Sequence, residues 1–463
     1  MAFHFIAILG TSIYIPTKYG DIDSEEEFVQ IALLKREHKD FMIMKDSKIT
    51  ILCTEEAKNS NWHDRKYTPG DIETLRKRKY EKTITEGTIK KGLETQLYEF
   101  ADNIGIPHSC IEEKDIPSGK NQEELMEIFN IICDQIKDED EIVFDITHGF
   151  RSIPVMVLSA ITFARNAKSK VSVRGIYYGA FEAKQDGITP VFNIKPYLDI
   201  MEWSQAITSF AKYGNSDNIY DLAVNDKGIN KDIKKMVERL HVFTLELETS
   251  RGFYDNRMGN NNNNASFYYS IKEYKKISNT IQTGEIEGPW KYLLDMISIK
   301  MKIFLDNESY NSVEQGLAAV KWAIDNHKTQ QGYTALEETI KTYLCLKYGL
   351  GIRDRKMREA AKRVCLAKIS RKTKDEELGI INQSIKEENL RQKLEKIYDD
   401  VNPSFSKIVR EISSKRNSLS HFGYDDGNKA FTWEKLERTL EVKYNEISKE
   451  VKKCYNVHSE NDT

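Results

Sequence analysis

Near the carboxyl end of the chain, Arg416-Asn417-Ser418-Leu419-Ser420-His421 gathers a guanidinium, an amide and an imidazole in one short segment. Such a set has the parts needed to cleave RNA without a metal ion. A neutral imidazole, with an ordinary pKa near ~6.5, moves protons at neutral pH. A guanidinium holds the charge that accumulates on a phosphate, and Asn417 is suited to hold that phosphate or to orient His421. On an ideal helix, residues five apart are rotated by about 500°, which leaves Arg416 and His421 roughly 140° apart around the axis. They share a site only if the helix bends or if a second copy of the chain supplies the partners across a twofold axis. The Arg-x-x-x-x-His spacing also arises often by chance, and a solvated helix face with a capping histidine accounts for it equally.

A second cluster, Asp145-Ile146-Thr147-His148-Gly149-Phe150-Arg151-Ser152, follows the apolar run Glu141–Ile146 and precedes a helical pattern over Ile153–Arg165. Pro154 falls in the first turn of that helix, where proline is tolerated. A strand-to-helix loop at the carboxyl edge of a parallel sheet is where ligands bind in such folds. Gly149 lets backbone approach a ligand, and the following helix amino terminus offers N–H groups to anions. Thr147, His148, Arg151 and Ser152 add donors suited to phosphates and base edges. Two further loops, Gly10-Thr11-Ser12 and Thr54–Trp62, each follow a predicted strand and could line the same pocket. Singly, each residue has a plainer reading: Thr147 or Ser152 as a helix cap, His148 or Arg151 as a satisfied surface group. The gathering of several at one predicted edge favours a pocket. The Gly10 loop is not a G-x-G-x-x-G dinucleotide fingerprint.

The elements that must position these residues follow from length and pattern. The chain has 463 residues, too many for one hydrophobic core. It is 40% hydrophobic and 30% charged, a composition that folds. Lys plus Arg total 69 against 72 for Asp plus Glu, which excludes nucleic-acid binding through a global positive excess and permits a local basic site. Residues 351–374 hold ten Lys or Arg against Asp354 and Glu359. That excess of eight could draw in a polyanion, although an exposed helix with a basic face explains it as well. The 6 cysteines are scattered without a CxxC pair, which suggests a reducing compartment and argues against zinc ribbons or a disulfide framework. The start, MAFHFIAILGTSIY, is apolar for about one strand and reads as that rather than as a signal peptide. No apolar run approaches the roughly 18 residues of a membrane helix, so a soluble, cytoplasmic protein without membrane partners is expected. No paired carboxylates, Gly-x-Ser-x-Gly elbow, Walker loop or HExxH stands out for another hydrolytic chemistry.

Short runs rich in Ile, Val and Phe at Phe3–Leu9, Lys48–Thr54, Glu141–Ile146 and Val171–Tyr178 predict buried strands. The amphipathic stretches Glu25–Lys39, Lys91–Asn103 and Asn121–Lys137 lie between them. The alternation predicts an α/β, Rossmann-like domain with a mainly parallel sheet over residues 1–200. Residues 201–310 read as an all-α linker region. Residues 311–463 read as an all-α domain with helices at Glu314–Asn326, Tyr333–Tyr348, Glu387–Asp399, Ser404–Leu419 and Thr432–Val451.

Taken together, DITHGFRSIPV (145–155), RGIYYGAFEA (174–183), TEEAKNSNW (54–62) and RNSLSH (416–421) resemble the CRISPR-associated ancillary ribonucleases that join a CARF sensor to a HEPN nuclease domain. AVKWAIDNHKTQQGYTALEETIKTYL (319–344) is similar to the opening helices of the HEPN half. The resemblance is weakest between about residues 200 and 310. It implies a CARF domain over 1–200, a HEPN ribonuclease domain over 311–463 and a homodimer. It also implies activation by cyclic tetra- or hexa-adenylate made by type III CRISPR effector complexes in antiviral defence. By analogy Gly10, Thr11, Ser12, Thr147, His148, Gly149, Arg151 and Ser152 would bind the activator. Arg416, Asn417 and His421 would cleave single-stranded RNA with no metal and no cofactor, leaving a 2′,3′-cyclic phosphate and a 5′-hydroxyl. Some family members slowly cut their own activator, to which His148 or Ser12 could contribute. Two other readings stay open: a non-catalytic sensor that signals to a partner, and a sheet-domain enzyme acting on a nucleotide, with the helical half only dimerising.

Overall fold

The computed structural model describes residues 2–43, 46–78, 84–149, 153–226, 228–252, 266–282, 289–306, 312–382, 385, 387–422, 424 and 431–459. The chain divides into two units, Met1–Met201 and Glu202–Thr463. The first is an α/β domain and the second is built from helices, the fold class expected from the sequence.

The sheet of the first unit contains β1 (Ala2–Ile8), β2 (Lys48–Cys53), β3 (Ile111–Asp115), β4 (Asp140–Asp145), β5 (Ser172–Gly179) and β6 (Val191–Asn193), in the order β6-β5-β4-β1-β2-β3. All neighbours run parallel except β6, which is antiparallel to β5. In the centre, Phe5 of β1 stands opposite Ile49 on one side and Val143 on the other. Alternate side chains of β1 enter different cores, as the pleat requires. Phe3, Phe5 and Ala7 pack under the helices Val29–Ile43 and Leu93–Ile104, whereas Ile6 and Ile8 pack under Gln122–Gln135 and Ile153–Ala167. Helices therefore cover both faces, which is why these strands read as continuous apolar runs rather than alternating ones. The first helix starts at Val29, four residues later than the pattern at Glu25 suggests, because Glu25 and Glu26 pair as a short strand with Thr17 and Lys18.

The strand order carries a functional consequence. From β1 the chain moves one way to β2 and β3, then returns to the other side of β1 at β4 and continues to β5. The direction of winding reverses between β1 and β4, and the carboxyl ends of those two strands open onto the crevice where doubly wound sheets bind ligands.

Among the described residues the second unit holds two hydrophobic cores. One runs from Trp203 on the helix Lys195–Tyr213 to Phe304 on Pro289–Leu305 and includes the fully buried Phe243 and Tyr274. The other runs from Val313 to Val451 around Tyr333, Leu336, Ile340 and Val409. The helix Val313–Asp325 serves both: Ala318, Ala319 and Trp322 enter the first core, and Val313, Leu317 and Val320 enter the second. Ser312 caps that helix by accepting the Gln315 N–H at 3.1 Å. The helix Pro403–Ser420 begins in the same manner, with Asn402 accepting the Phe405 N–H at 2.7 Å and proline at the first helical position. No helix among the described residues is long and apolar enough to cross a membrane.

Candidate functional site

The loop after β1 and the loop after β4 stand side by side at the reversal. Gly10 donates its N–H to the Tyr14 hydroxyl at 2.9 Å. The Tyr14 ring in turn lies 4.7 Å from the His148 ring, centroid to centroid. A Cβ on Gly10 would stand 2.6 Å from the Tyr14 hydroxyl and 3.0 Å from the His148 ring, so glycine is required there by close approach. The carbonyls of Gly10 and Ser12 both accept from the Asn61 amide, at 2.7 and 2.9 Å. The Asn61 oxygen accepts from the Lys90 ammonium. With its carbonyls satisfied inward, the loop leaves Thr11 and Ser12 exposed. Asn61 and Lys90 are almost fully buried, and burial draws the Lys90 pKa down to about 8 despite the nearby Glu27 carboxylate.

On the β4 side, Asp145 is fully buried at the end of its strand. One carboxylate oxygen accepts from the Thr147 hydroxyl at 2.5 Å and the Thr147 N–H at 3.0 Å, and the other accepts from Gln30 at 2.9 Å. Thr147 also accepts the Gly179 N–H from β5 at 2.8 Å. Its hydroxyl is thus bonded twice within the protein and ties the ends of β4 and β5 together. His148 is half-buried with its Nε2 shut from solvent and without a partner among the described residues. Gly149 is exposed at φ +119°, a conformation open to glycine and rare for other residues. Arg151 and Ser152 lie outside the described residues.

Asp145 and His148 give the first unit a specific pH behaviour. Burial raises the Asp145 pKa to about 6, against the bonds from Thr147 and Gln30, and burial lowers that of His148 to about 4. The unfolded values are about 3.9 and 6.5. Between about pH 4 and 6 the folded state keeps a proton on Asp145 that the unfolded state loses, so this group lowers stability as pH rises. Over nearly the same window the unfolded state protonates His148 and the folded state does not, so that group raises stability as pH rises. Each shift is worth roughly 3 kcal/mol, and the two slopes oppose each other. Asp145→Asn is expected to unmask the histidine, with stability rising by roughly 3 kcal/mol from pH 4 to 6.5. Urea unfolding followed by circular dichroism across that range checks this, and a mutant profile parallel to the native one refutes it.

In the helical unit, the helix holding Arg416 runs through Ser420, and the His421 N–H still bonds to the Asn417 carbonyl at 2.9 Å. The helix therefore does not bend between Arg416 and His421. The Asn417 side chain accepts from Arg416 Nη1 at 3.1 Å. His421 is exposed at the helix end, followed by Phe422 in the left-handed region at φ +55°. Arg416 lines a cavity of about 530 Å³, and His421 is not among the residues around it.

The same cavity is lined by Arg353, Arg355 and Arg358, all from the basic segment 351–374. Among the described residues its walls carry Lys328, Lys341 and these four arginines, six cations, against the three carboxylates Glu248, Glu338 and Glu359, an excess of three. The sequence count of eight excess charges overstates the field of the segment as a whole. Most of the segment folds as the amphipathic helix Arg355–Ala367, and several of its bases meet partners distant in sequence. Arg358 bonds Glu338 at 2.7 Å, Lys362 bonds Glu337 at 2.9 Å and Lys374 bonds Asp399 at 2.7 Å. Lys368 donates to the Tyr398 carbonyl at 2.8 Å. Arg355, Lys356, Arg363, Arg371 and Lys372 remain exposed.

A doubly wound sheet with glycine-bearing loops at its reversal places the amino-terminal unit among the Rossmann-like ligand-binding domains. Residues 4–182 match the family described as "CRISPR system endoribonuclease Csx1, CARF domain". The match to a CARF domain thus spans most of the amino-terminal unit. The match leaves residues 183–463 outside it. The chain is also 28% identical over 268 residues to the CRISPR-associated protein MJ1674 of Methanocaldococcus jannaschii. That alignment covers 57% of this chain and 38% of the relative, well under half of the relative's length. Among solved structures, Enterococcus italicus Csm6 bound to cyclic hexa-2'-fluoro-hexa-dAMP is similar over 97% of this chain and 93% of that one, at 12% identity and a TM-score of 0.45.

The loop residues Gly10, Thr11, Ser12, Thr147, His148 and Gly149 were all legible as candidates. Lys90, Tyr14 and Gln30, which with Asn61 hold those loops, sit in no motif of the sequence. Asn61 does fall inside the Thr54–Trp62 segment, but no local spacing announces that its amide staples a turn 49 residues away.

Proposed function

We propose that this chain is a ribonuclease of a type III CRISPR system, activated when a cyclic tetra- or hexa-adenylate binds the loops at the β1–β4 reversal. The observation that carries the nuclease half is the cavity that joins Arg416 to Arg353, Arg355 and Arg358, because a cluster of guanidinium groups suits a phosphodiester backbone. In this reading the RNA 2′-hydroxyl attacks the adjacent phosphorus and the bond to the 5′-oxygen breaks, leaving a 2′,3′-cyclic phosphate and a 5′-hydroxyl. Arg416 stabilises the charge on the phosphoryl oxygens and His421 transfers a proton, with no metal ion. The unbent helix and the position of His421 outside the cavity favour a composite site in which a second copy completes the Arg–His set.

The test is cleavage of a labelled single-stranded RNA in a chelator, with and without cyclic tetra- or hexa-adenylate, with analysis of the product ends. Activator-dependent cleavage giving cyclic-phosphate ends is expected; no cleavage with either ring overturns the nuclease assignment and leaves a non-catalytic sensor. At the sensor end, Gly10→Ala forces Tyr14 and His148 apart and should weaken activator binding at least about tenfold, since each 1.4 kcal/mol of misfit is a factor of ten. Calorimetric titration measures this, and native affinity in the variant moves the activator elsewhere.

A further inference from the structure

The cavity beside Arg416 has a lining of two chemical kinds. Phe267, Trp322, Leu247 and Ala319 give its lining an apolar, partly aromatic part, and the arginines of the 351–374 segment and Arg416 give it guanidinium groups. Gln331 and Thr334 also line it. Its volume of about 530 Å³ falls within the roughly 300–1,000 Å³ of pockets that take small organic ligands. A lining that joins apolar side chains to guanidinium groups matches a ligand that is a flat aromatic ring at one end and an anion at the other. Rings stack on aromatic and aliphatic faces, and the phosphate is held by arginine forks. A purely inorganic anion would leave the apolar lining unused, and a purely apolar ligand would leave Arg416, which makes no ion pair among the described residues, without a counter-charge.

We infer that this cavity is a seat for one nucleotide, its base among the apolar lining residues and its phosphate on Arg355 and Arg416. That the nucleotide belongs to the RNA strand rather than to a free mononucleotide rests on the ribonuclease reading; the cavity chemistry itself does not. The seat would hold one base out of the stack next to the phosphate at Arg416, and so set the position of the cut.

Two variants of the full chain test it. Ala335→Leu enlarges a half-buried residue on the cavity wall, and Arg355→Glu reverses an exposed charge at its rim. Binding of a 2′-O-methyl single-stranded oligonucleotide, which cannot be cleaved by attack of its 2′-oxygen, is measured by fluorescence anisotropy. Binding of 5′-AMP is measured by calorimetry, and circular dichroism confirms that both variants fold. At least a tenfold loss for either variant on either ligand is expected, and the ligand affected identifies the source of the nucleotide. Native affinity for both ligands in both variants overturns the seat, whether or not RNA is cleaved. Conversely, binding of 5′-AMP that is lost in Arg355→Glu, in a protein that never cleaves RNA, upholds the seat while removing the nuclease reading.

Discussion

Arg416→Ala is expected to lower RNA cleavage by about 100- to 1,000-fold, the usual consequence of deleting a group that stabilises transition-state charge. His421→Ala should fall at least as far if it is the proton carrier, because general acid–base catalysis contributes about 10²–10⁴-fold. The folded state should tolerate both changes. Among the described residues Arg416 makes no ion pair, its side-chain bond being to the neighbouring Asn417 at 3.1 Å, and alanine is a better helix former. His421 is exposed beyond the last helical turn. Loss of cleavage with an unshifted melting temperature, and with activator affinity within about threefold of native, would separate chemistry from stability. Cleavage at native rates in both single variants removes Arg416 and His421 from the reaction. Arg416→Lys adds a graded test, since a lysine keeps the charge and lacks the planar fork that engages two phosphate oxygens.

The second large effect is on stability. Lys341 is almost fully buried on the helix Thr329–Lys347, where its ammonium contacts Glu337 at 3.4 Å, Glu338 at 2.7 Å and Glu359 at 2.5 Å. Burial works against its charge, but the hydrogen bonds to Glu338 and Glu359 outweigh that and hold its pKa above the ordinary lysine value. Glu337 is equally buried and also receives Lys362 at 2.9 Å. Lys341→Met keeps the length of the side chain and removes the charge, leaving Glu337 in a dry environment with one distant-helix partner. Breaking one member of a buried ionic cluster costs about 3–5 kcal/mol, and urea unfolding should record that loss. Replacing Glu337 by Gln at the same time should recover part of it, because the uncompensated charge disappears. A Lys341→Met loss below about 1 kcal/mol would show that the cluster is solvated in solution and carries little of the fold.

Much of the sheet could be read from sequence because β1, β2, β4 and β5 are largely buried and so appear as short runs rich in Ile, Val and Phe. Strand β3, Ile-Glu-Glu-Lys-Asp, gave no such signal: it lies at the sheet edge with every residue partly or fully exposed. Strand β6 is short and antiparallel, and only its ladder with Tyr177–Gly179 defines it. The two loops at the reversal were visible from their glycines and polar groups. The groups that fix them were not, because Asn61 on Gly10 and Gln30 on Asp145 are tertiary contacts. The helical unit repeats the lesson with opposite sign. The charges of residues 351–374 were plain in the sequence, but a window count cannot know that Glu337, Glu338 and Asp399 come from other helices to meet them. Nor does it foresee that three arginines of that segment join Arg416 around one cavity.

The double duty of the helix Val313–Asp325 bears on how this half of the protein comes apart. Its opposite faces are committed to different hydrophobic clusters, so neither cluster can melt without stripping a wall from the other. Amides on both sides should therefore exchange with solvent at a common slow rate, as one cooperative block. A lesion as remote as Phe210 should then be felt as lost protection at Tyr333.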